Sequence, residues 1–378
     1  MSELHTIEII VLISSALYFL GLSAFLPGLM RGLRRKQTSD SRLQTSDFPR
    51  VTVLVCARNE EKNIDSCLRS LSLLEYPSEF LEILIVDDHS SDATPKLLES
   101  WKQKLSNLRT ISTTLTSKSQ LPGKVNALIQ GMDAASGEFV IISDADCAVS
   151  PNWVREHLLW YDDNTGMVSS ITVLDSMKPF NIAQSLEMTE LLGLSMAAIN
   201  YNIPVSVIGN NLSIRKAAYD EVGGYRNIPF SVTEDVALFQ TIWNTGKWKV
   251  RFKANQDLLV MSKPPGSFTT WWKQKHRWVI GGKDIKLMGR IILLLGFIGA
   301  FTIISAPFVL PLKFALAAIA LKFFGDLLII YPVLRGLNQM KLIWFLFVYQ
   351  LYLFFFLLCV PILYLQKDVK WKGRVYHT

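Results

Sequence analysis

Two long apolar regions, one near each end of the chain, constrain the fold more than any other feature of this sequence. Residues 9–30 carry no charged side chain, and residues 289–365 form a second region of long apolar stretches. About 20 apolar residues in a row are enough for a helix to cross a bilayer. We therefore predict one transmembrane helix within residues 1–30 and about three apolar segments within residues 289–366, at about 290–310, 314–334 and 342–365.

The charges around the first apolar run predict its orientation. The basic stretch "RGLRRK" follows the run at positions 31–36, whereas Glu3 and Glu8 precede it. A cleaved signal peptide carries its positive charge in front, so this order favours a retained helix. Positive charge behind the helix places that end in the cytoplasm, and the polar chain that follows is expected there too.

The net charge of +7 fits a protein that lies against a membrane. We expect the basic linker, residues 31–48, to lie near anionic headgroups. Binding to nucleic acid is the alternative interpretation of a basic chain, and it is disfavoured because the basic residues cluster beside the apolar segments. The four cysteines, Cys56, Cys67, Cys147 and Cys359, show no metal-like spacing, which is typical of a reducing compartment.

The polar region between the apolar ends alternates between strand-like and helix-like segments. Continuous apolar runs predict strands at residues 51–56, 81–88 and 138–146. Helical segments are predicted at residues 59–74, 93–105 and 125–135. This alternation predicts an α/β domain over residues 49–266, with a mostly parallel sheet and helices on both of its faces.

Polar and acidic residues follow each predicted strand. The first strand ends in "CARNEE", the second in "VDDHSSD" and the third in "SDADC". Ligands of open α/β sheets bind outside the carboxyl ends of the strands. One such end would be an ordinary turn, since Asp and Ser are common in loops. Three together, two of them with a pair of aspartates, predict a binding site.

Asp144 and Asp146 flank one alanine, so in an extended segment both carboxylates face the same side. Hard oxygen ligands of this kind suit Mg²⁺ or Mn²⁺, which proteins commonly share with substrate phosphates. Lys124 opens a predicted helix and could place a cation near the same phosphates. The alternatives are a pair of solvated loop aspartates and a surface lysine.

Two segments beyond the sheet carry complementary chemistry. In "SVTEDVALF", Glu234 and Asp235 begin a predicted helix, where acidic residues either complement the helix dipole or act as a general base. In "KQKHRW", Arg277 is a fixed cation suited to a diphosphate, and Trp278 offers a flat face for a sugar ring. Residues 267–288 are also expected to form an amphipathic helix at the membrane interface.

These residues, taken in order, resemble a known family. Four short motifs match the pattern of glycosyltransferase family 2 in their order. They are Asp87–Asp88, Asp144–Ala145–Asp146, Thr233–Glu234–Asp235 and Gln274-x-x-Arg277–Trp278. The likeness is greatest to its membrane-embedded branch, which includes cellulose, hyaluronan and poly-N-acetylglucosamine synthases and ceramide glucosyltransferases. It covers residues 49 to 278 and implies the nucleotide-sugar-binding fold called GT-A.

The resemblance also implies roles for individual residues. Ala57, Glu60, Asp87 and Asp88 should line the nucleotide pocket, and Lys124 should lie near the diphosphate. Asp144 should contact the diphosphate and the Mg²⁺ or Mn²⁺ ion, with Asp146 as the direct metal ligand. Asp235, with Glu234 beside it, should be the catalytic base. The pyrophosphate and the acceptor should be held by Gln274, Arg277, Trp278 and Asn210.

The resemblance implies an inverting enzyme of the bacterial inner (cytoplasmic) membrane, with no covalent intermediate. Its donor would be a nucleotide diphosphate sugar, expected to be a UDP-sugar. The small number of apolar segments favours a single transfer to a lipid or lipid-linked acceptor, and no nucleic-acid partner is expected. Processive polysaccharide synthesis is the first alternative. A non-catalytic scaffold or transporter with a nucleotide-binding domain is the second.

The C-terminal segments raise a conflict over topology. Three crossings would place the tail, residues 367–378, outside, yet Lys367, Lys370, Lys372 and Arg374 favour the cytoplasm. Either one segment does not cross, or the rule that basic residues stay in the cytoplasm does not hold here. Pro307 and Pro311 predict that the non-crossing segment is the first, as a broken or re-entrant segment. In the second segment, Lys322 and Asp326 are one helical turn apart and are expected to form a structural ion pair, with an acceptor site as the alternative.

Overall fold

The computed structural model describes residues 2–34, 48–114, 123–229, 231–282, 286–366, 368–371 and 374–377. Most of the predicted linker and two basic residues of the tail, Lys367 and Lys372, lie outside the described residues. The strands are β1 (Val51–Ala57), β2 (Leu81–Asp87), β3 (Leu108–Ser112), β4 (Phe139–Asp144), β5 (Cys147–Val149), β6 (Thr165–Ser169), β7 (Thr172–Leu174), β8 (Leu212–Arg215), β9 (Lys249–Phe252), β10 (Val260–Ser262), β11 (Asp368–Trp371) and β12 (Arg374–His377).

The described helices of the sheet domain pack around these strands. From β1 to β4, strands and helices alternate along the chain. The helices are α2 (Ile64–Leu71), α3 (Thr94–Lys102), α4 (Lys124–Ala134), α5 (Trp153–Leu158), α6 (Pro179–Ile199), α7 (Lys216–Glu221), α8 (Glu234–Asn244) and α9 (Phe268–Gly281). The apolar ends of the chain form α1 (Ser2–Leu33), α10 (Leu287–Val309), α11 (Leu312–Gly336) and α12 (Leu346–Leu365). The predicted strands and helices of residues 51–146 are all present, with bounds that differ from the prediction by up to five residues.

Among the described residues, a seven-stranded sheet in the order β3-β2-β1-β4-β8-β6-β9 forms the centre of the domain. Strand β8 runs antiparallel to both of its neighbours, and the other adjacent strands of this sheet run parallel. Strand β1 is rich in β-branched residues and is buried along its length, as expected for a central strand covered on both faces. The mostly parallel α/β sheet predicted from the sequence is therefore confirmed.

Helices α1, α10 and α11 pack side by side along their lengths. Val11 of α1 belongs to a buried cluster with Ala306, Ala315 and Ala318, at the end of the helices far from the sheet domain. At the near end, Gly336 packs against Leu33, and the backbone oxygen of the adjacent Gly32 accepts a hydrogen bond from the sheet domain. Helix α10 therefore runs away from the sheet domain, and α11 returns to it after a turn of two residues.

Helix α10 continues through Pro307, so the prediction that the first C-terminal segment is broken is wrong. Tertiary packing keeps this helix continuous, since Ala306 beside the proline is fully buried against its neighbours. Within the described residues, four helical stretches are long and apolar enough to cross a membrane: residues 6–33, 287–309, 312–336 and 340–365.

Helix α12 differs from α10 and α11, each of which runs from one end of the bundle to the other. It begins after α11 has returned, where Leu346 packs in one buried cluster with Ile182 of α6. It ends where His276 of α9 donates a hydrogen bond of 3.1 Å to the backbone oxygen of Gln366. Because both ends of α12 lie beside helices of the sheet domain, the tail leaves on the same side as that domain. This arrangement removes the conflict between three crossings and a basic tail.

A network of buried polar side chains joins the membrane helices to α6. Lys322 Nζ lies 2.6 Å from Asp326 Oδ2, and Gln350 of α12 donates to the same oxygen at 2.6 Å. Tyr18 of α1 donates to Asp326 at 2.5 Å and to Glu190 of α6 at 3.3 Å. The predicted ion pair is confirmed. Removing one partner of such a buried pair commonly destabilises a protein by about 3–5 kcal/mol, so this network ties the bundle together.

Candidate active site

The carboxyl ends of β1, β2 and β4 are level with one another. In the parallel register Ala57 of β1 pairs with Asp87 of β2, while Cys56 of β1 pairs with Asp144 of β4. The three strand ends that the sequence singled out therefore lie along one edge of the sheet. This juxtaposition follows from parallel pairing, because each of these strands points its carboxyl end in the same direction.

The residues predicted for the nucleotide side are held firmly at this edge. Asp88 accepts hydrogen bonds from Thr113 at 3.1 Å and from Arg58 at 3.3 Å. Asp87 accepts from the hydroxyl of Ser90 at 2.5 Å. The chain just beyond β1 and β2 takes left-handed conformations at Asn59 and His89, with φ of 55° and 56°. Such backbone strain is often found at binding sites, where it aims side chains and amide groups at a ligand.

The same edge holds Glu60, whose backbone N–H donates to Thr94 Oγ1 at 2.8 Å and whose carboxylate accepts from Asn63 at 2.8 Å. Glu60 is buried, as is Ala57 at the end of β1. These contacts fix the loop between β1 and α2 beside the loop that follows β2. Arg58 and Thr113, which bind Asp88, received no role in the sequence analysis.

Lys124 connects the sheet edge to α8. It begins α4 directly after Gly123, whose φ of 80° favours glycine at that position. Its Nζ lies 2.6 Å from Asp144 Oδ1 and 3.6 Å from Glu234 Oε1. Burial lowers the pKa of Lys124, but the two carboxylates outweigh burial and raise the pKa overall. Lys124 is thus a fixed cation between the Asp-x-Asp motif and the start of α8.

Asp146 follows the end of β4, where its carboxylate lies 3.4 Å from Cys147 Sγ. Asn210 is close by, since its amide donates to Cys147 Sγ at 3.5 Å and accepts from Thr172 at 2.8 Å. The segment before Asn210 also reaches the start of α8. A Cβ atom added to Gly209 would lie 2.9 Å from Asp235 Oδ2, so only glycine permits this approach without displacing the carboxylate.

Asp235 lies in the first turn of α8, where its Oδ1 accepts a hydrogen bond of 2.9 Å from the backbone N–H of Val236. Burial and the neighbouring Glu234 raise the pKa of Asp235 to about 6, although Lys124 and Arg277 act in the opposite direction. A carboxylate with this pKa is ionised at neutral pH and is more basic than an ordinary aspartate. These are the properties of a general base.

Helix α9 brings the Gln-x-x-Arg-Trp motif to the same place. A Cβ atom on Gly281 would overlap with Thr233 Cγ2, so the end of α9 packs directly on the start of α8. Arg277 and Trp278 follow Gln274 by three and four residues, and all three line one cavity. All three therefore share the cavity with Asp235.

Lys275 is a residue of this helix that the sequence analysis missed. It is fully buried and forms an ion pair with Glu187 of α6, which also accepts a hydrogen bond of 2.7 Å from Tyr352. Its Nζ lies 4.2 Å from the centre of the Trp278 ring. This pair fixes α9 against α6 and holds the Trp278 ring in place. Periodicity gave no signal for Glu187, because α6 is buried on nearly all sides.

A cavity of about 880 Å³ connects these groups with the membrane helices. Its lining includes the candidate residues Lys124, Asn210, Glu234, Asp144, Asp146 and Asp235, and the motif on α9. Apolar residues of α10 and α12 line it too, together with Lys322, Gln350 and Glu190 of the buried polar network. Ala57, Glu60, Asp87 and Asp88 lie at the same sheet edge but are not among the residues that line this cavity.

The donor set fits a divalent cation that is shared with a substrate. In the described part of the chain, no three His, Cys, Asp or Glu side chains are grouped as a protein-only metal site. Mg²⁺ and Mn²⁺ do not require such a group, because one or two carboxylates plus substrate phosphates are a common coordination set. Asp144 and Asp146 line the cavity and supply hard oxygen ligands of this kind.

Fold and site together define a membrane-associated α/β protein with the features of a nucleotide-sugar-binding domain, and comparison with known proteins gives its family. The family model described as "Glycosyl transferase family 21" matches residues 12–378. The chain therefore belongs to glycosyl transferase family 21. This membership confirms the predicted likeness to membrane-embedded glycosyltransferases.

Two curated relatives illustrate the range of this likeness. The beta-monoglucosyldiacylglycerol synthase of Synechocystis sp. is 26% identical over 241 residues, which are 63% of this chain and 49% of the relative. The poly-beta-1,6-N-acetyl-D-glucosamine synthase of Staphylococcus epidermidis is 24% identical over 241 residues, 63% of this chain and 55% of the relative. The chain thus matches about half the length of these curated relatives.

A solved structure shares the fold over nearly the whole chain. The mannosyltransferase PcManGT from Pyrobaculum calidifontis, solved with GDP-Man and Mn²⁺, superimposes with a TM-score of 0.57 at 20% sequence identity. The match covers 95% of this chain and 98% of the mannosyltransferase. The GT-A fold with flanking apolar helices, predicted from the sequence, is confirmed by this similarity.

The contact between Gly209 and Asp235 leads to a prediction. We expect Gly209→Ala to lower the turnover number, because the new methyl group would lie 2.9 Å from Asp235 Oδ2 and displace the carboxylate. Donor affinity should stay unchanged. Gly266→Ala is the matched control, since a Cβ at Gly266 meets nothing within 4 Å. Steady-state kinetics of the two variants check this, and equal turnover numbers would contradict it.

The pKa of Asp235 leads to a second prediction, for the pH dependence of transfer. A base works only when ionised, and the raised pKa of about 6 means that Asp235 becomes protonated as the pH falls through that value. We expect the rate to be constant near pH 8, to halve near pH 6 and to fall about tenfold per unit below pH 5. A pH–rate profile with saturating donor measures this. A profile that stays flat down to pH 4.5 would contradict it.

Proposed function

We propose that this protein is an inverting, metal-dependent membrane glycosyltransferase. It transfers a sugar from a nucleotide diphosphate sugar to a hydroxyl group of a lipid or lipid-linked acceptor. The proposed donor is a UDP-sugar. The observation that carries the proposal is the continuous cavity, which joins Asp144, Asp146 and Asp235 to apolar helix faces of the membrane segments. A soluble acceptor would have no use for such a connection.

The donor would lie along the carboxyl edge of the sheet. Asp87, Asp88, Ala57 and Glu60 would surround the nucleoside at the ends of β1 and β2. The diphosphate would then reach the level of Asp144, where Lys124 and the fixed cation Arg277 offset its negative charge. A divalent cation bound by Asp144 and Asp146 would supply further neutralisation of the leaving diphosphate.

The transfer step would take place beside Asp235. As the acceptor oxygen forms a bond to the anomeric carbon, its proton passes to the Asp235 carboxylate, and the bond between that carbon and the diphosphate oxygen breaks. The nucleoside diphosphate leaves with the electron pair of the broken bond. Trp278, held over Lys275, would provide a flat surface for the sugar or the acceptor, and Gln274 and Asn210 would donate hydrogen bonds.

Two other functions make different demands on this cavity. A processive synthase, as in the Staphylococcus relative, would release a long polymer rather than a lipid-sized product. A scaffold or transporter would have no use for a buried base beside cations that bind a diphosphate. The lipid acceptor in the name of the Synechocystis relative supports single transfer, as does the return of α12 to the sheet domain. The proposed location is a bacterial inner membrane, with the sheet domain in the cytoplasm.

The experiment that tests this function uses purified protein in detergent with a native lipid extract. A panel of radiolabelled UDP- and GDP-sugars is supplied with Mg²⁺ or Mn²⁺, and the products are separated by thin-layer chromatography. We expect one donor to give a discrete, lipid-soluble labelled band. Label that remains at the origin as a digestible polymer would support processive synthesis instead. Donor binding without any transfer would support the scaffold.

A further inference from the structure

Apolar residues of α10 and α12 line one part of the cavity, and we call this part the apolar arm. Its wall on α10 is formed by Leu293, Gly296 and Ala300, and its wall on α12 by Leu353, Leu357 and Val360. Within each helix these residues recur every three or four positions, so each wall is one helical face. At 1.5 Å per residue, the walls are about 11 Å long on each helix, and they continue to Ile303 and Tyr364.

The apolar arm opens on the membrane-facing surface of the protein. Phe297 of α10 and Phe354 of α12 both line the cavity, and they remain 45% and 42% exposed. The outer face of α12 is also apolar and exposed, with Phe347 at 70% and Leu358 at 57%. Apolar surface of this extent on a membrane segment faces lipid tails. The arm is therefore continuous with the hydrocarbon of the bilayer at one end and with the Asp235 site at the other.

The position of α12 decides which leaflet the arm meets. Helix α12 begins and ends beside α6 and α9 of the sheet domain, as described above. Helix α10 also starts at the sheet domain, and Gly296 is nine residues after its first residue, Leu287, or about 14 Å along the helix. Half of a bilayer's hydrocarbon core is about 15 Å thick. The arm thus begins in the leaflet next to the sheet domain, with Leu293 about 9 Å along α10, and reaches past the bilayer midplane at Ala300, about 20 Å along the helix.

Gly296 lines the arm at a point where no neighbouring helix packs against it. A Cβ atom added there would meet no other atom within 4 Å, although the residue lines the cavity. Gly299, one turn further along, behaves differently, because its added Cβ would lie 2.6 Å from the Tyr18 ring. Gly299 is therefore needed for helix packing, whereas Gly296 leaves open space in the arm. A side chain added at position 296 would therefore start in open space and point its bulk into the arm.

We propose that the apolar arm holds an acyl chain of the acceptor lipid, that the lipid enters sideways between α10 and α12, and that Gly296 keeps this path open. The inference rests on the proposed transfer to a lipid. It adds the binding site of the acyl chain and the route by which the lipid enters. The continuity of the arm with the Asp235 site supports this occupant over a lipid with a purely structural role. The reacting hydroxyl would reach Asp235 while the chain stays at bilayer depth.

The test compares Gly296→Phe with Leu294→Phe, which adds bulk to the same helix at a side chain that is 57% exposed and does not line the cavity. The acceptor probes are diacylglycerol and ceramide, each with short and with long chains, in detergent micelles. We expect Gly296→Phe to lower kcat/KM for the long-chain acceptor by about tenfold or more, and that for the short-chain acceptor much less. Leu294→Phe should match the wild type with both.

Several outcomes separate this inference from the proposed function. Wild-type protein that glycosylates none of the four lipids would overturn the lipid acceptor itself. Wild-type transfer with an equal response of Gly296→Phe to short and long chains would overturn the arm alone, as expected if a structural lipid fills it. Nucleotide-sugar affinity and the unfolding midpoint in detergent are measured for both variants. If Gly296→Phe does not fold, Gly296→Leu replaces it, with the same chain-length dependence expected.

Discussion

Asp235→Asn is expected to lower the turnover number for sugar transfer by about 10²–10⁴-fold while leaving the donor Kd nearly unchanged. The amide keeps the size of the side chain and can keep the hydrogen bond from Val236, but it cannot accept the acceptor's proton at neutral pH. Donor binding should persist because Lys124 and Asp144 are untouched. Single-turnover transfer and equilibrium binding of the nucleotide sugar measure the two effects separately.

The control for this variant is Asp220→Asn, which removes a carboxylate that is 57% exposed and paired with Lys216 on the surface. It should leave both quantities unchanged. If Asp235→Asn transfers sugar within a few-fold of the wild type, then Asp235 is not the base. Glu234 would then be the remaining carboxylate at the start of α8, although it already faces Lys124 at 3.6 Å.

Lys124→Met should cause the second large loss, about 10²-fold or more in kcat/KM. Its cation lies between Asp144 and Glu234, so its removal leaves two carboxylates facing the site where the diphosphate would bind. Both donor affinity and the rate of diphosphate departure should fall, in contrast to Asp235→Asn, which affects the rate alone. The kinetics and binding measurements are the same as for that variant.

Lys247→Met provides the matched control, because Lys247 forms an exposed ion pair with Glu221, outside the residues that line the cavity. An exposed pair of this kind contributes about 0–1 kcal/mol to stability. If Lys124→Met retains the donor affinity of the wild type, then the diphosphate lies elsewhere, and the proposed direction of the donor along the sheet edge is wrong.

The sheet edge could be predicted from the sequence because its rules are local and general. Continuous β-branched runs mark buried strands, and parallel strands bring their carboxyl ends to one edge. The positions of Asp87, Asp88 and Asp144 follow from these two rules. The motifs at Asp235 and Arg277 were indicated by their chemistry and by family resemblance, but their meeting in one cavity depends on the close contact of Gly281 with Thr233. No sequence period indicates such a contact.

The remaining features depended on contacts between distant parts of the chain. Helix α12 has the length and apolarity of a crossing segment, and only its packing on α6 and α9 shows that both of its ends lie on one side. Helix α6 is buried on nearly all sides, so it has no polar face to reveal its register or its glutamates. The Lys275–Glu187 pair joins residues 88 apart in sequence. Pro307 suggested a break, yet packing kept α10 helical.

The most direct test of the whole account is transfer in a defined system. Purified protein is reconstituted in phosphatidylcholine vesicles with or without diacylglycerol or ceramide, and the radiolabelled nucleotide sugar selected from the donor panel is added with Mn²⁺. The account predicts label in the lipid fraction only when a hydroxyl-bearing lipid is present, as a product carrying one sugar and absent with Asp235→Asn. Label that accumulates equally in vesicles without such a lipid, or as a polymer, would contradict it.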